Sequence, residues 1–200
     1  MVIRKVNSYR NDLSRVIIYF EDKSYVTVPA ERARALDLKA GDVVDETLIE
    51  ELSHEARGSA ARATAARVVG RSAMSCATLL KKLREKGIDD ESANAALSWL
   101  VDIGIMDDKA YAKNLLNHYR ARGFGNRRIA EEMRIRGISH DIIDEIIDER
   151  DMSDEILEYI EKKTRSAKLD DKLRVKITNA LIRRGHSYDD IKKALKSLDD

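Results

Sequence analysis

Apolar residues recur along most of this chain at the spacing of an amphipathic α-helix, and one longer pattern occurs three times. The segments 79–100, 129–150 and 177–198 align without gaps. In each, two apolar residues four positions apart are followed by basic residues and a glycine, then by a Ser or Asp and a second apolar series. A period of about fifty residues with this spacing is typical of helical repeat proteins.

Each copy predicts a helix, a tight turn and a second helix. Apolar residues four apart lie on one helix face, and basic residues near a helix end interact favourably with its unpaired carbonyl groups. The glycine supplies a left-handed residue that ends the first helix, and the Ser or Asp two positions later is the expected N-cap of the next. The residues are Gly87, Gly137 and Gly185, and Asp89, Ser139 and Ser187.

The sequence therefore predicts an all-α fold of three tandem three-helix repeats in an elongated array, preceded by a small N-terminal extension with a β-hairpin and short helices. The expected domains are the extension at 1–58 and the repeats at 59–106, 107–152 and 153–200. An alanine-rich helix is expected at about 59–70. Ser75 and Asp107 are the expected N-caps of the two helices that begin after them.

Residues 15–29 differ from the rest of the chain, because β-branched and aromatic residues flank a polar turn. RVIIYF and YVTVP on either side of EDKS predict a β-hairpin. A hairpin alone is marginal in water, so we expect it to pack on the short helix that Pro29 begins or on a helix over 45–56. Residues 1–12 are polar and are expected to be frayed.

Composition limits the class of protein. Charged residues make up 36% of the chain, but the net charge is only +1, so overall charge gives no argument for nucleic acid binding. The single Cys76 excludes an intrachain disulfide and a cysteine-based zinc site. No apolar run has the length of a membrane span, and the N-terminus lacks the apolar core of a signal peptide. We expect a cytoplasmic protein, and the charged surface favours a monomer.

The sequence offers no convergent catalytic site. Gly123-Phe124-Gly125 lacks the third glycine and the preceding strand of a dinucleotide-binding loop. The paired aspartates lie near predicted helix starts, where capping explains them, and the four histidines show no metal-ligand spacing. We therefore predict no enzymatic activity, no metal and no cofactor.

Basic residues are concentrated in the second and third repeats, while residues 141–151 are mostly acidic. Stacked repeats would align the basic residues into a stripe that suits an anionic partner. The alternative is that they are solvated helix faces and favourable helix-end charges. The residues expected to contact a partner or phosphate are Lys109, Lys113, Arg120, Arg122, Arg127, Arg128, Arg134, Arg136, Lys172, Arg174, Lys176, Arg183 and Arg184.

The turn from Gly123 to Arg128 is the strongest candidate contact within this set. Two glycines and an asparagine before a helix start are expected to leave backbone N–H groups free. Arg127 and Arg128 fall in the first turn, where positive charge opposes the helix dipole. We expect this turn to contact phosphate or an acidic protein surface.

Several of these motifs, in their order and spacing, resemble the RecX family. GIMDDKAYA at 104–112 is similar to the family's Gly-x-x-Asp-Asp-x-x-aromatic-Ala motif. The run from Arg120 to Ile138 is similar to its basic, Gly-x-Gly, Arg-Ile and Gly-Ile elements. Arg71 and Ser75 resemble the Arg-x-x-x-Ser element of its first repeat. The hairpin-bearing extension also looks like that of longer members.

Three departures from the family pattern affect helix ends and local packing. Thr78 stands where the family usually carries the Glu of a capping box, so only the cap serine is expected to act. Met133 replaces the usual leucine of the central repeat, and Ile135 replaces a basic residue.

The resemblance implies a non-enzymatic negative regulator that binds the filament of the RecA recombinase on DNA. Such a protein inhibits ATP hydrolysis, strand exchange and coprotease activity, and contacts DNA weakly or through the filament. Its setting would be DNA repair and the SOS response. The residues themselves also allow direct DNA binding through the basic helices, or a helical scaffold for another partner.

Overall fold

The structure is a computed structural model that describes residues 1–9, 12–147, 152–164 and 170–198. Within these ranges the strands are β1 Ile3–Tyr9, β2 Asp12–Phe20 and β3 Tyr25–Pro29. The helices are α1 Ala30–Ala35, α2 Glu46–Val69, α3 Cys76–Glu85, α4 Asp90–Asp102, α5 Asp108–Ala121, α6 Asn126–Ile135, α7 His140–Ile146, α8 Ser153–Thr164, α9 Asp171–Arg183 and α10 Tyr188–Lys196. The predicted mostly helical chain with a small β-containing extension is confirmed.

The chain divides into two compact units. Unit 1 comprises Met1–Ser72 and Leu79–Ile105, and unit 2 comprises Ala73–Thr78 and Met106–Asp200. Part of the predicted acidic segment, residues 148–151, lies outside the described residues.

Unit 1 contains an antiparallel sheet of order β1-β2-β3. The predicted hairpin is confirmed as β2 and β3, with Ile17 paired to Thr27. The prediction that residues 1–12 are frayed is wrong for β1, which pairs along β2 from Ile3, opposite Phe20. Ile3, Val6 and Tyr9 favour a strand, but the polar residues between them obscure that preference in the sequence. Pairing with β2 and burial of Ile3 stabilise the strand.

Helices α1 and α2 both pack on this sheet. The core between them contains the buried side chains of Ile18, Phe20, Val28 and Leu52. An isolated hairpin is marginal in water. Here the packing of both α1 and α2, rather than of only one helix, stabilises the sheet.

Helix α2 is continuous from Glu46 to Val69, so the two helices predicted over 45–56 and 59–70 are one helix. The boundary predicted after residue 58 falls inside it. Taken alone, the conformational freedom of Gly58 favours a break in the helix. Continuity is favoured because α2 packs against both β3 and α4, which rewards unbroken helix on either side of that glycine.

Unit 2 contains two three-helix groups. Helices α5, α6 and α7 surround a core that includes Ile129, Met133 and Ile143. Helices α8, α9 and α10 surround a second core that includes Ile160 and Leu181. The apolar series of the sequence thus lie inside these groups, as the helical spacing predicts.

The predicted turn chemistry is largely confirmed. Gly87, Gly137 and Gly185 have φ of 77°, 76° and 87°, the left-handed region that glycine adopts without steric cost. The N-cap side chains of Asp89, Asp107 and Ser187 accept hydrogen bonds from the backbone N–H groups of Ser92, Ala110 and Asp190. Ser139 occupies the N-cap position of α7 but makes no side-chain capping bond.

We expect Gly58→Ala to raise the free energy of unfolding by about 0.5–1 kcal/mol, because alanine loses less conformational entropy in a helix interior. A Cβ at Gly58 would meet nothing within 4 Å. Urea denaturation measures the change. The control is Gly41→Ala, where space is equally open but φ is +94°, so that variant is expected to be destabilised. Destabilisation by Gly58→Ala would contradict a continuous α2.

Candidate partner-binding surface

Four of the predicted binding residues form ion pairs with carboxylates of unit 2. Lys109 Nζ lies 2.7 Å from Glu145, and Arg134 lies 2.8 Å from Glu131. The other two, Arg128 and Arg136, contact the same carboxylate. Their charge is locally balanced, which weakens them as attractors of an anionic partner.

Glu132 is the carboxylate that Arg128 and Arg136 share, at 2.6 and 2.5 Å. The Tyr119 hydroxyl also donates to it, at 3.0 Å, and the Arg136 guanidinium lies 5.5 Å from the Tyr119 ring centroid. Hydrogen bonds from Arg136 and Tyr119 lower the pKa of Glu132. This network fixes α6 against α5, so the role of Arg136 is structural.

The turn from Gly123 to Arg128 is packed against another turn of unit 2, so the expectation of free N–H groups is wrong. The Gly125 N–H donates to the Arg184 carbonyl at 2.9 Å, and the Arg127 N–H donates to the Gly185 carbonyl at 3.2 Å. A Cβ at Gly125 would lie 2.4 Å from the Gly185 backbone. The start of α6 thus meets the glycine turn that follows α9, a long-range contact that local sequence does not reveal.

Arg184 holds the same contact from the other side. Its Nη1 donates to the carbonyls of Arg122 and Gly123, at 3.1 and 3.3 Å. Its guanidinium carbon lies 5.0 Å from the Tyr159 ring centroid and 5.9 Å from that of Phe124. Arg184 is therefore committed to backbone and aromatic partners within the fold.

The buried side chain of His186 completes this contact. Its Nε2 lies 3.2 Å from the Gly123 carbonyl, so we assign the proton to Nε2. Its Nδ1 is buried without a partner in the described part of the chain. Burial lowers the pKa of His186 below its ordinary value, and the nearby charge of Arg184 acts in the same direction. The neutral imidazole is the form that this contact accommodates.

A second contact of the same kind occurs at the start of α3. The Ser75 hydroxyl donates to the Arg136 carbonyl at 2.5 Å, and the Thr78 hydroxyl donates to it at 3.1 Å. Ser75 also accepts the Thr78 N–H at 3.1 Å, as the predicted cap. A Cβ at Gly137 would lie 3.1 Å from Ser75 Oγ. Thr78, which does not form a capping box, contacts this turn instead.

We call each of these contacts a glycine-turn joint. In each, the start of one helix packs against the glycine-containing turn that ends a helix later in the chain. One joins residues 75–78 to residues 136–137, and the other joins residues 125–128 to residues 184–185. Both lie within unit 2. The sequence motifs with glycine and basic residues therefore build the fold as well as its surface.

The remaining predicted residues are divided by exposure. Arg120 and Arg174 are half-buried, and Arg120 approaches Asn126 Oδ1 at 3.4 Å. Arg122 lies 5.7 Å from the Phe124 ring centroid. Of the predicted binding residues, the exposed cations that make no ion pair within the described ranges are Lys113, Arg122, Arg127, Lys172, Lys176 and Arg183.

Three of these exposed cations lie on one face of α9, which we call the α9 stripe. Lys172, Lys176 and Arg183 are spaced by four and seven residues, so they share a helix face. Val175 and Ile182 lie beside them and are 61% and 46% exposed. This face points away from the core residue Leu181. The sequence analysis identified the cations but missed the two exposed aliphatic residues. Val175 and Ile182 fall outside the helical spacing of the buried residues Ile177 and Leu181, and this departure was the available signal.

The described residues contain no group of three or more His, Cys, Asp or Glu side chains placed to hold a metal ion. Burial raises the pKa of the Cys76 thiol to about 11, and Asp108 contributes to the shift. That thiol is therefore protonated at neutral pH and is a poor nucleophile. Among the described helices, none combines the length and apolar character needed to cross a membrane.

Comparison with known proteins connects this architecture to one family. A family sequence model described as "RecX, second three-helix domain" matches residues 107–147, and one described as "RecX, third three-helix domain" matches residues 151–195. The chain is 25% identical over 201 residues to regulatory protein RecX of Clostridium botulinum strain Alaska E43, covering 97% of this chain and 94% of that protein. It is 32% identical over 125 residues to regulatory protein RecX of Vibrio campbellii, covering 61% of this chain and 81% of that protein.

Solved structures have the same fold. A crystal structure of regulatory protein RecX aligns with a TM-score of 0.66 and 18% identity, covering 98% of each chain. The crystal structure of RecX from Lactobacillus salivarius aligns with a TM-score of 0.65 and 21% identity, covering 72% of this chain and 98% of that chain.

We expect Gly185→Ala to destabilise the protein strongly, because it disrupts a glycine-turn joint. The added Cβ would lie 2.4 Å from the Arg128 nitrogen, at a φ of +87°. The left-handed backbone costs about 1–2 kcal/mol and the overpacking about 1–3 kcal/mol more. The matched control is Gly104→Ala, which has φ of +73° but open space and bears only the first cost. Equal losses in urea denaturation would show that the close approach does not matter.

We expect the stability that His186 contributes to fall with acidification. Its folded-state pKa lies below 6.5, so below that pH the unfolded chain binds the proton first and stability decreases towards the folded-state pKa. The hydrogen bond to the Gly123 carbonyl, and to a smaller extent the charges of Asp190 and Glu155, raise this pKa, whereas burial and the charge of Arg184 lower it. The measurement is the difference in unfolding free energy between the native chain and His186→Gln, from about pH 7.5 to about pH 5. A difference that stays constant would refute the buried neutral imidazole.

Proposed function

The chain belongs to the RecX family, and from that premise we propose that it is a non-enzymatic negative regulator that binds the RecA–DNA filament. In this proposal, binding of the chain to the filament inhibits the ATP hydrolysis, strand exchange and coprotease activity of the recombinase. Relatives that match nearly the whole chain carry the name regulatory protein RecX, which supports a regulatory role.

The α9 stripe is the observation that carries the proposal. Lys172, Lys176 and Arg183 are exposed and make no ion pair within the described ranges. With a net charge of only +1 for the chain, attraction to an anionic partner depends on such local groups. A filament of protein on DNA offers both phosphates and acidic side chains to them.

The exposed aliphatic residues of the stripe favour a partner that is itself a protein. Val175 and Ile182 lie beside the cations on the outer face of α9. Phosphate contacts bring no gain for an apolar side chain, whereas a protein surface buries it at about 25 cal/mol per Å². A mixed cationic and aliphatic face therefore fits the filament better than bare DNA.

Direct DNA binding is the second candidate, because the same cations would also contact phosphates. That function requires affinity for free single or double strands that falls steeply as salt is raised. The regulator requires the recombinase for tight association. The two candidates are therefore separated by measuring DNA binding with and without the recombinase.

The test is a titration of the chain into the DNA-stimulated ATPase reaction of the cognate recombinase at fixed physiological salt, with a parallel titration against DNA alone. Inhibition at concentrations that leave bare DNA unbound supports the regulator. Salt-sensitive binding to bare DNA that accounts for all of the inhibition, through competition for the strand, supports direct DNA binding. Absence of inhibition at excess chain would overturn the proposed function.

We expect the triple variant Lys172→Ala, Lys176→Ala and Arg183→Ala to raise the half-inhibitory concentration by about tenfold, since three contacts of about 0.5 kcal/mol each give that factor. The measurement is the same ATPase titration. The control variant Lys109→Ala, Arg128→Ala and Arg134→Ala removes the same formal charge from cations already paired within the fold. We expect a much smaller change for the control. Equal effects would show that net charge, and not the α9 stripe, governs binding.

A further inference from the structure

The turn at Lys86 and Gly87 copies the two turns that accept a helix start in the glycine-turn joints. The Gly87 N–H donates to the Arg84 carbonyl at 2.9 Å, and the Ile88 N–H donates to the Leu83 carbonyl at 3.1 Å. The Gly137 and Gly185 turns make the equivalent bonds at 2.9 Å and at 3.1–3.2 Å. The three turns thus present the same backbone shape.

Two of these turns are occupied, and the third is open. Ser75 donates to the Arg136 carbonyl and Gly125 to the Arg184 carbonyl. No donor from the described ranges reaches the equivalent Lys86 carbonyl. A Cβ at Gly87 would meet nothing within 4 Å, whereas at the occupied turns it would crowd the docked helix. The turn shape that binds a helix start twice in unit 2 is therefore open at Gly87 in unit 1. The Gly104 turn makes the same two backbone bonds, at 2.9 Å each, and is also open, so the basic groove beside Gly87 is what distinguishes the two turns.

Basic side chains surround this open turn. A groove of about 420 Å³ beside it is lined by Arg71, Lys82 and Lys86, with Glu85, Val68 and Ser72. Its charges sum to positive, so it repels the positive end of a helix dipole unless the first turn of that helix is acidic. The shape of the turn and the positive charge of the groove together favour a helix start with an acidic first turn as the ligand.

We propose that the Lys86–Gly87 turn is a docking site for a helix start on the partner protein. The occupant has a small N-cap residue, as Ser75 and Gly125 do in the two joints, and a first turn that carries Asp or Glu. The N-cap donates to the Lys86 carbonyl, and the acidic residues contact Arg71 and Lys82. This inference rests on the proposed function, in which the partner is the recombinase filament, and it assigns to that partner a contact separate from the α9 stripe.

The test substitutes Gly87 by Asn, since Asn tolerates positive φ and adds a side chain where the occupied turns have no room. The control is Gly104→Asn, because Gly104 also follows a helix with φ of +73° and has open space around it. Both variants are assayed by titration into the DNA-stimulated ATPase reaction of the recombinase. Thermal unfolding followed by circular dichroism checks that both fold.

We expect Gly87→Asn to raise the half-inhibitory concentration by about tenfold, the scale of one well-packed contact, and Gly104→Asn to leave it unchanged. A second variant, Lys82→Glu with Lys86→Glu, is expected to act as Gly87→Asn does. Normal inhibition by both of these variants would refute the docking site and leave the proposed function intact. If the native chain itself does not inhibit, both the function and the docking site are refuted.

Discussion

Unit 2 depends on the glycine-turn joint, in which the start of one helix meets a later helix end at backbone distance. The approach is possible only where side chains are absent or small, because a Cβ at Gly125 or Gly185 would lie 2.4 Å from backbone atoms of the other side. At the joint between Gly125 and Gly185, N–H groups that a helix start would otherwise leave unpaired find carbonyl acceptors. At the other joint, the Ser75 and Thr78 hydroxyls donate to the carbonyl at the helix end. The joint thus satisfies two helix ends in a single contact.

This constraint decides what the basic residues can do. Arg136 and Arg184 stand directly before a turn glycine, and each packs on aromatic rings while its carbonyl accepts from the docked helix. Their positive charge also suits a helix C-terminus. In an occupied joint, a cation at that position therefore serves the fold, whereas exposed cations such as Lys176 remain available to a partner.

Local features were predictable from the sequence, and long-range ones were not. The left-handed glycines and the caps at Asp89 and Asp107 follow from chemistry within a few residues. The continuity of α2 through Gly58 depends on packing partners distant in sequence, as does the pairing of β1. The prediction for the start of α6 was wrong for the same reason. Its glycines suggested free N–H groups, but in the fold the turn at Arg184 and Gly185 packs against them and accepts their hydrogen bonds. The sequence nominated the cations of the candidate site as a set, but their division into paired and exposed members required Glu132 and Glu145 to be placed in space.

The length of α9 explains why the exposed cations gather there. The N-caps of α3 and α6, Ser75 and Gly125, precede the first buried apolar residue by four positions, whereas Asp170 precedes Ile177 by seven. The added residues place Lys172 one turn before Lys176, and the stripe to Arg183 then spans roughly 16 Å at 1.5 Å per residue. Lys172 in the first turn opposes the helix dipole, but Asp170, which accepts the Leu173 N–H, and Asp171 offset that cost. A longer helix with an acidic cap can therefore carry cations along its outer face, because the carboxylates at its start offset the cost that Lys172 incurs at the helix dipole.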